Sequence, residues 1–436
     1  MRGTASGATC FAACLLAVTA CASSPPCQIV RFDDAPDAAS GEVRHAIAFG
    51  QFADVTSAPD GVACLSCGTV FYLDAALRER RQLGVDVVNG SAIAASGDAT
   101  YVFNRELGVS PDSNFDAYSR PADLTLSAMD ASGHQRWHHD FGDGEAWTAP
   151  ATQVFDHVVV PEIFATSKAV VIHGEPLASV FRPSDGELQW RTLVGSGAAV
   201  APDASDGLLV ATGGSATSPA AAQATLRHLT TGGAVDWTAT WTAGGAAAMT
   251  GEFVRFYAGA PTPEGGFAVA GSFQAATLDL GNQTALSLPQ TGPFALPAAF
   301  VAVIDSHGVT QWAALLGDAS FDDSFGGGVD PARIAATGDG VVICGSYSGP
   351  NQLGLPANQI QNTDAFVARV DRSGAITAYP ITGGANQTCR SLQLTADGSA
   401  TVAVYSANRE SSAITVAGRT FDSGSEFSYY VLNLGL

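Results

Sequence analysis

A tryptophan placed four residues after a glycine recurs four times, and each time it closes the same unit: an apolar strand, a turn ending in Gly, and a returning strand. The copies are "LSAMDASGHQRW" with Gly133 and Trp137, "SVFRPSDGELQW" with Gly186 and Trp190, "LRHLTTGGAVDW" with Gly233 and Trp237, and "AFVAVIDSHGVTQW" with Gly308 and Trp312. Four of the six tryptophans therefore share one repeat position. "AFVARVDRSGAITAY" keeps the turn with Ala378 in the tryptophan slot, and "TVFYLDAALRERRQL" is a degenerate copy that keeps Asp74. Self-similarity on this scale belongs to chains that stack one supersecondary unit beside the next.

Each unit is dictated locally. Asp or Ser at the start of the turn can bond its own backbone, and Gly supplies the positive φ that closes a tight hairpin. The tryptophan is then expected on the buried face of the returning strand, filling space between packed sheets. A second hairpin follows each copy, with turns near Gly61, Gly97, Ser167, Gly207, Gly265, Asp339 and Gly398. That gives seven against six complete copies of the first hairpin. The missing strand stands at the far end, where "YYVLNLGL" (Tyr429 to Leu436) aligns with "AFVAVID" and belongs beside the N-terminal half-unit that begins "VRHAIAF". The expectation is an all-β, closed β-propeller of seven four-stranded blades, the C-terminal strand completing the first blade and hiding the sheet edges. Seven units from Val43 to Leu436 average about 56 residues, above the ~40–50 of a minimal blade, so six or eight blades stay open.

The N-terminus reads differently. Arg2 precedes "CFAACLLAVTAC", too short to span a bilayer but suited to the apolar core of an export signal. It ends in Val18-Thr19-Ala20-Cys21, which resembles a bacterial lipobox. That resemblance implies a signal peptide over 1–20, lipidation of Cys21, and, with Ala22 rather than Asp next, an outer-membrane address. An ordinary signal peptide cut near Ala22 is the other reading. Acyl chains contribute roughly 0.8 kcal/mol per buried CH₂, so several on one cysteine anchor a soluble domain durably. Residues 21–42, rich in Ser, Pro, Asp and Ala, read as a flexible tether, and 43–436 as the propeller. With 20 basic against 41 acidic residues the formal charge is −21, which repels phosphate backbones and excludes nucleic acid as a partner.

The last three units, carried by "AFVAVIDSHGVTQWAALLGDASFDDSFGGG", "ARIAATGDGVVICGSYSG" and "TDAFVARVDRSG", resemble the bacterial β-propeller repeats called SBBP repeats. The first four are similar to quinoprotein-like propeller repeats, most clearly at Asp130, Gly133 and Trp137. Anchor plus repeats also resembles the propeller lipoprotein of the outer-membrane β-barrel assembly machine. These likenesses imply a fold more than an activity, since propellers host ligands, partners and enzymes alike.

Chemistry is sparse. A quinoprotein-like oxidoreductase often carries adjacent cysteines, and this chain has no Cys-Cys pair. A sialidase-like glycosidase turn places tryptophan three residues after Gly, where this chain has four. Cys64-x-x-Cys67 is followed by Gly68, not by the His of a c-type haem site. Exported cysteines point instead to disulfides: Cys344 with Cys389, which fall in neighbouring units near equivalent strands, and Cys27 with Cys64 or Cys67. His138 and His139 alternate sides of a strand and read as a solvated strand end. The acidic, Gly-rich "GDASFDDSFGGGVD" offers calcium the carboxylates of Asp318, Asp322 and Asp323, without EF-hand spacing. No other cofactor is expected. The reading is a monomeric, membrane-anchored binding or scaffold propeller whose partner is an envelope protein or a surface polysaccharide. A propeller enzyme is the alternative.

Overall fold

The computed structural model describes residues 29–32, 35, 39, 41–49, 53–58, 61–66, 69–84, 92–106, 123–141, 162–174, 177–195, 198–203, 206–216, 221–245, 252–288, 297–318, 328–349, 351–357, 363–383, 386–395, 397–407, 412–424 and 427–436. The described secondary structure is all β, in seven antiparallel sheets. Blade 1 runs through Ala53–Ala58, Gly61–Ser66, Thr69–Asp74 and Glu79–Gly84, and blades 2 to 6 repeat the same four-strand meander from Ala92, Glu162, Ala198, Glu252 and Gly328. Blade 7 takes Asn386–Leu394, Ala400–Ala407 and Phe427–Leu434 from the C-terminus and its fourth strand, Val43–Phe49, from the N-terminus. The first strands of successive blades adjoin one another around the axis, and blade 7 adjoins blade 1, so the ring is closed.

Period-2 alternation explains why the sheets stack into a ring. Each strand sends alternate side chains to the blade on either side. In Phe267–Gln274, Phe267, Val269 and Phe273 pack toward blade 4, and Ala268 and Ala270 toward blade 6. The described core accordingly divides into seven apolar clusters, one at each junction between blades. Small alanines on one face and large rings on the other let neighbouring sheets interdigitate without voids.

Extra strands lace the second half of the ring. The hairpin Thr277–Asp279 and Ala285–Ser287 leaves blade 5 and pairs with the outer strand of blade 4. Ile414–Val416 and Arg419–Phe421 leave blade 7 and pair with the outer strand of blade 6. In these two units the excess length becomes sheet, each insertion extending the preceding blade. Part of the span read as a tether also folds onto the ring: Ile29–Arg31 pairs with Val43–Phe49, and Phe32 meets Phe421 at 5.2 Å. The folded unit therefore begins before Val43, because these apolar side chains have a sheet edge and a ring to cover. Residues 1–28, with the export segment and Cys21, lie outside the described residues.

Candidate functional site

The repeat hairpins form as their sequences dictate. Asp130, Asp305 and Asp371 each accept two backbone N–H bonds within their own turns, at 2.7–3.0 Å. Gly133, Gly186, Gly233, Gly308 and Gly374 all have φ between 74° and 89°, where a β-carbon is unfavourable.

What the tryptophan does is not local. Trp137 lies on Gly186 of blade 3, so closely that a Cβ on that glycine would stand 2.5 Å from the ring. Trp190 lies likewise on Gly233 at 2.9 Å, and Trp237 on Gly308 at 2.8 Å. The Trp137 and Trp190 indole N–H groups donate to Pro183 O (2.8 Å) and Thr231 O (2.7 Å), carbonyls of the next blade's turn. Only Trp137 is buried, while Trp190, Trp237 and Trp312 are half-buried, so the ring caps a junction more than it fills a core. Leu83 takes the slot between blades 1 and 2 against Gly133, and Tyr379 that between blades 6 and 7 against Gly41. Gly41 belongs to a turn made of both chain ends, where its N–H donates to Gly435 O and Gly435 N–H donates to Glu42 O.

The axial channel carries a charged layer. Counted back from the last paired residues Ala58, Pro261, Thr337 and Leu394 of the first strands, Asp54, Tyr257, Arg333 and Arg390 stand four positions in. Glu162 stands three in from Ala165. The longer first strands bulge at this level, the device by which a strand re-aims a side chain. Arg333 of blade 6 pairs with Glu162 of blade 3 at 3.1 Å, and Glu162 also meets Nδ1 of buried His173 at 3.5 Å. Asp54 accepts from the Val55 N–H (2.9 Å), the Ile93 N–H (3.0 Å) and the Ser391 hydroxyl, so it ties blades 1, 2 and 7.

The two carboxylates are pushed apart. Burial raises Asp54 above the ordinary range against the pull of Ser391, Ile93 and Arg333. At Glu162 burial acts upward too, but the Arg333 charge and His173 outweigh it and hold the carboxyl low. Sequence reasoning missed this layer. Its signal was a charged residue among the small and apolar residues of a first strand, as in "ADVTSA", "EIFA" and "PARIAAT".

The remaining candidates are scattered. Cys344, in the second strand of blade 6, is bonded to Cys389, in the first strand of blade 7, with Cα atoms 5.9 Å apart. Cys64 is a free thiol, fully buried between blades 7 and 1, and burial pushes it well above its usual range, with the Asp54 charge adding to the effect. Such a buried thiol is inert. Cys27 and Cys67 lie outside the described residues, as do Asp322 and Asp323. Asp318 ends a blade 5 strand, and burial raises its carboxyl. Among the described residues no three His, Cys, Asp or Glu side chains gather as metal ligands. His138 is exposed and bonded to Ser127 and Asp140, whereas His139 packs against Phe141 and Phe181.

No protein-family model matches the chain, and no curated protein sequence matches it either. Solved structures do. The chain is similar to BamB from Moraxella catarrhalis, at 13% identity over 93% of this chain and 98% of that one, with a TM-score of 0.40. It is similar to hydrazine synthase of Kuenenia stuttgartiensis, at 14% identity over 85% and 96% of the two chains, with a TM-score of 0.45. Quinohemoprotein alcohol dehydrogenase from Comamonas testosteroni is 11% identical over 87% of this chain and 66% of that one, with a TM-score of 0.38.

Proposed function

We propose that the chain is an exported binding or scaffold protein of the bacterial cell envelope, held at the outer membrane by lipid on Cys21 and engaging an envelope protein with one face of the ring. The observation that carries this is an asymmetry of connections. In a four-strand meander the turns after strands one and three fall on one face, and those after strands two and four on the other. On the first face none exceeds six residues. On the second lie the connections from Glu106 to Asp123, Phe141 to Glu162, Gln274 to Ala298 and Ala407 to Phe427, the longest of 23 residues. Long connections on a rigid frame are where binding surfaces concentrate. The charged layer supplies the frame, since its groups bond strands of different blades to one another.

The test is photocrosslinking in intact envelopes from Gln352 and Ala357 on the long-connection face, compared with Ser132 and Thr231 on the tight-turn face. All four are exposed. The proposal expects one near-stoichiometric partner from the first pair only, lost when Cys21 is changed to Ser. Crosslinks confined to the tight-turn face, or recovery of the propeller alone, would contradict it.

The channel favours a second reading, a propeller glycosidase. Glu162, paired with Arg333 at 3.1 Å, and Asp54 belong to one layer of the channel, two carboxyl groups of the kind a glycosidase uses. Turnover of a chromogenic glycoside that disappears in a folded Glu162→Gln variant would establish it. The same turnover in both proteins would remove it.

A further inference from the structure

The four tryptophan repeats act as one another's controls, and one of them behaves differently. Trp312 should lie on Gly374, the turn glycine of blade 6. A Cβ on Gly374 instead meets only the Ala314 Cβ, at 3.5 Å, two residues further along the strand and about 7 Å from the tryptophan position. The blade 6 turn is tied elsewhere: its Arg372 N–H donates to Asp339 O (3.1 Å), and its guanidinium donates to Gly338 O and Glu264, each at 2.7 Å. Trp312 rests one edge on the core between blades 5 and 6. Among the described residues its indole N–H makes no hydrogen bond, as at Trp237 and unlike Trp137 and Trp190. Where Trp137, Trp190 and Trp237 cap their junctions, Trp312 lines a cavity of about 390 Å³, open on the tight-turn face.

The wall around Trp312 is polar and balanced. Thr262, Glu264 and Asp305 come from blade 5 turns, Gln311 from the residue before the tryptophan, and Thr337 and Arg372 from blade 6. Arg372 is neutralised by Glu264, and the Gln311 carboxamide donates to Asp305 at 2.8 Å. A simple anion entering here meets two carboxylates, and a cation meets the guanidinium. A purely apolar ligand would leave the donors and acceptors without exchange partners. What fits is a neutral molecule with one apolar face and hydroxyls on its edge. We propose that the cavity between blades 5 and 6 binds a neutral saccharide of one or two pyranose units. The sugar's C–H face lies on the Trp312 indole, and its hydroxyls exchange bonds with Gln311, Glu264 and Arg372. The volume falls within the range of small-ligand sites. The site lies on the opposite face from the long connections and stands whether or not that face binds a protein.

The test uses the full chain labelled with 5-fluorotryptophan in a sugar-free detergent, with the Trp312 ¹⁹F resonance assigned from Trp312→Phe. Maltose, cellobiose and N,N′-diacetylchitobiose are titrated to the millimolar range beside inorganic phosphate and tetramethylammonium. At least one disaccharide should shift the Trp312 resonance saturably and leave that of Trp190 in place. Gln311→Ala, exposed and outside the core, should weaken that binding tenfold or more while the other five resonances stay put. A Trp312 resonance unmoved by all three sugars, or one that answers to phosphate or tetramethylammonium instead, would overturn the proposal.

Discussion

At the junction of blades 4 and 5, Trp237 lies across the backbone of Gly308. One junction further round, Trp312 and Gly374 occupy the same strand and turn positions and do not meet. The two hairpins have the same spacing, the same turn-opening Asp in blades 5 and 6, and nearly the same glycine φ, 83° and 82°. What differs is the seat of the neighbouring blade. The Arg372 bonds to Asp339, Gly338 and Glu264 hold the blade 6 turn one pleat further along the strand. A repeat unit therefore specifies its own hairpin, whereas the use made of its tryptophan belongs to the next unit.

Removing rings should separate capped from open junctions most strongly. Trp137→Ala takes away a buried ring and its bond to Pro183, and should cost about 4 kcal/mol, within the usual range for tryptophan truncation. Trp312→Ala, beside an existing cavity, should cost about 1 kcal/mol, a quarter of that. Urea midpoints of the two variants give the comparison, and equal losses would break it.

The channel sharpens the contrast, since it ties blades 3 and 6 regardless of how junctions are capped. Glu162→Gln strips Arg333 of its partner, and should cost about 2 kcal/mol, below the figure for a fully buried pair because Arg333 is a third exposed. The loss should add to that of Trp312→Ala, as expected for separate sites. Marked non-additivity in the double variant would mean that the cavity and the channel layer share strain.

The smallest effect concerns the junction where the chain ends meet. Asp397, in a blade 7 turn, is held at about 2 by Thr395 and Ser399, with Arg44 of the N-terminal strand at 3.0 Å. Its folded value lies below the ~3.9 of an unfolded aspartate, so its stabilisation is fully present above that value and lost as pH falls toward 2. With the side chain 57% exposed, the amount is below about 1 kcal/mol. Asp397→Asn should lose up to that amount at pH 7 and converge with the parent near pH 2, which flattens the stability profile between pH 4 and 2. A parallel profile would assign the acid sensitivity to other carboxylates.

These contrasts also mark how far the sequence could be read. Hairpins, blade number and ring closure were legible because Gly, Asp and alternating apolar residues act within one unit, and "YYVLNLGL" could be aligned with its counterparts. The pairing of Trp137 with Gly186 was not, because it joins different units. The layer of Asp54, Glu162 and Arg333 escaped for the same reason: its members lie as much as 279 positions apart and meet only when the ring closes. The open junction escaped most completely, since Trp312 and Gly374 look no different from the pairs that meet.

Gly308→Ala and Gly374→Ala make the most direct test. Both glycines sit at the same positive φ in the same kind of turn, so the backbone cost of alanine, about 1–2 kcal/mol, cancels between them. Only at Gly308 does the added methyl strike a tryptophan, at 2.8 Å, whereas at Gly374 it meets Ala314 at an ordinary 3.5 Å. Measured by urea unfolding, Gly308→Ala should lose about 1–3 kcal/mol more than Gly374→Ala, the cost of overpacking a filled site. Equal losses would mean that Trp312 is seated on its glycine like the others and that the junction between blades 5 and 6 is closed.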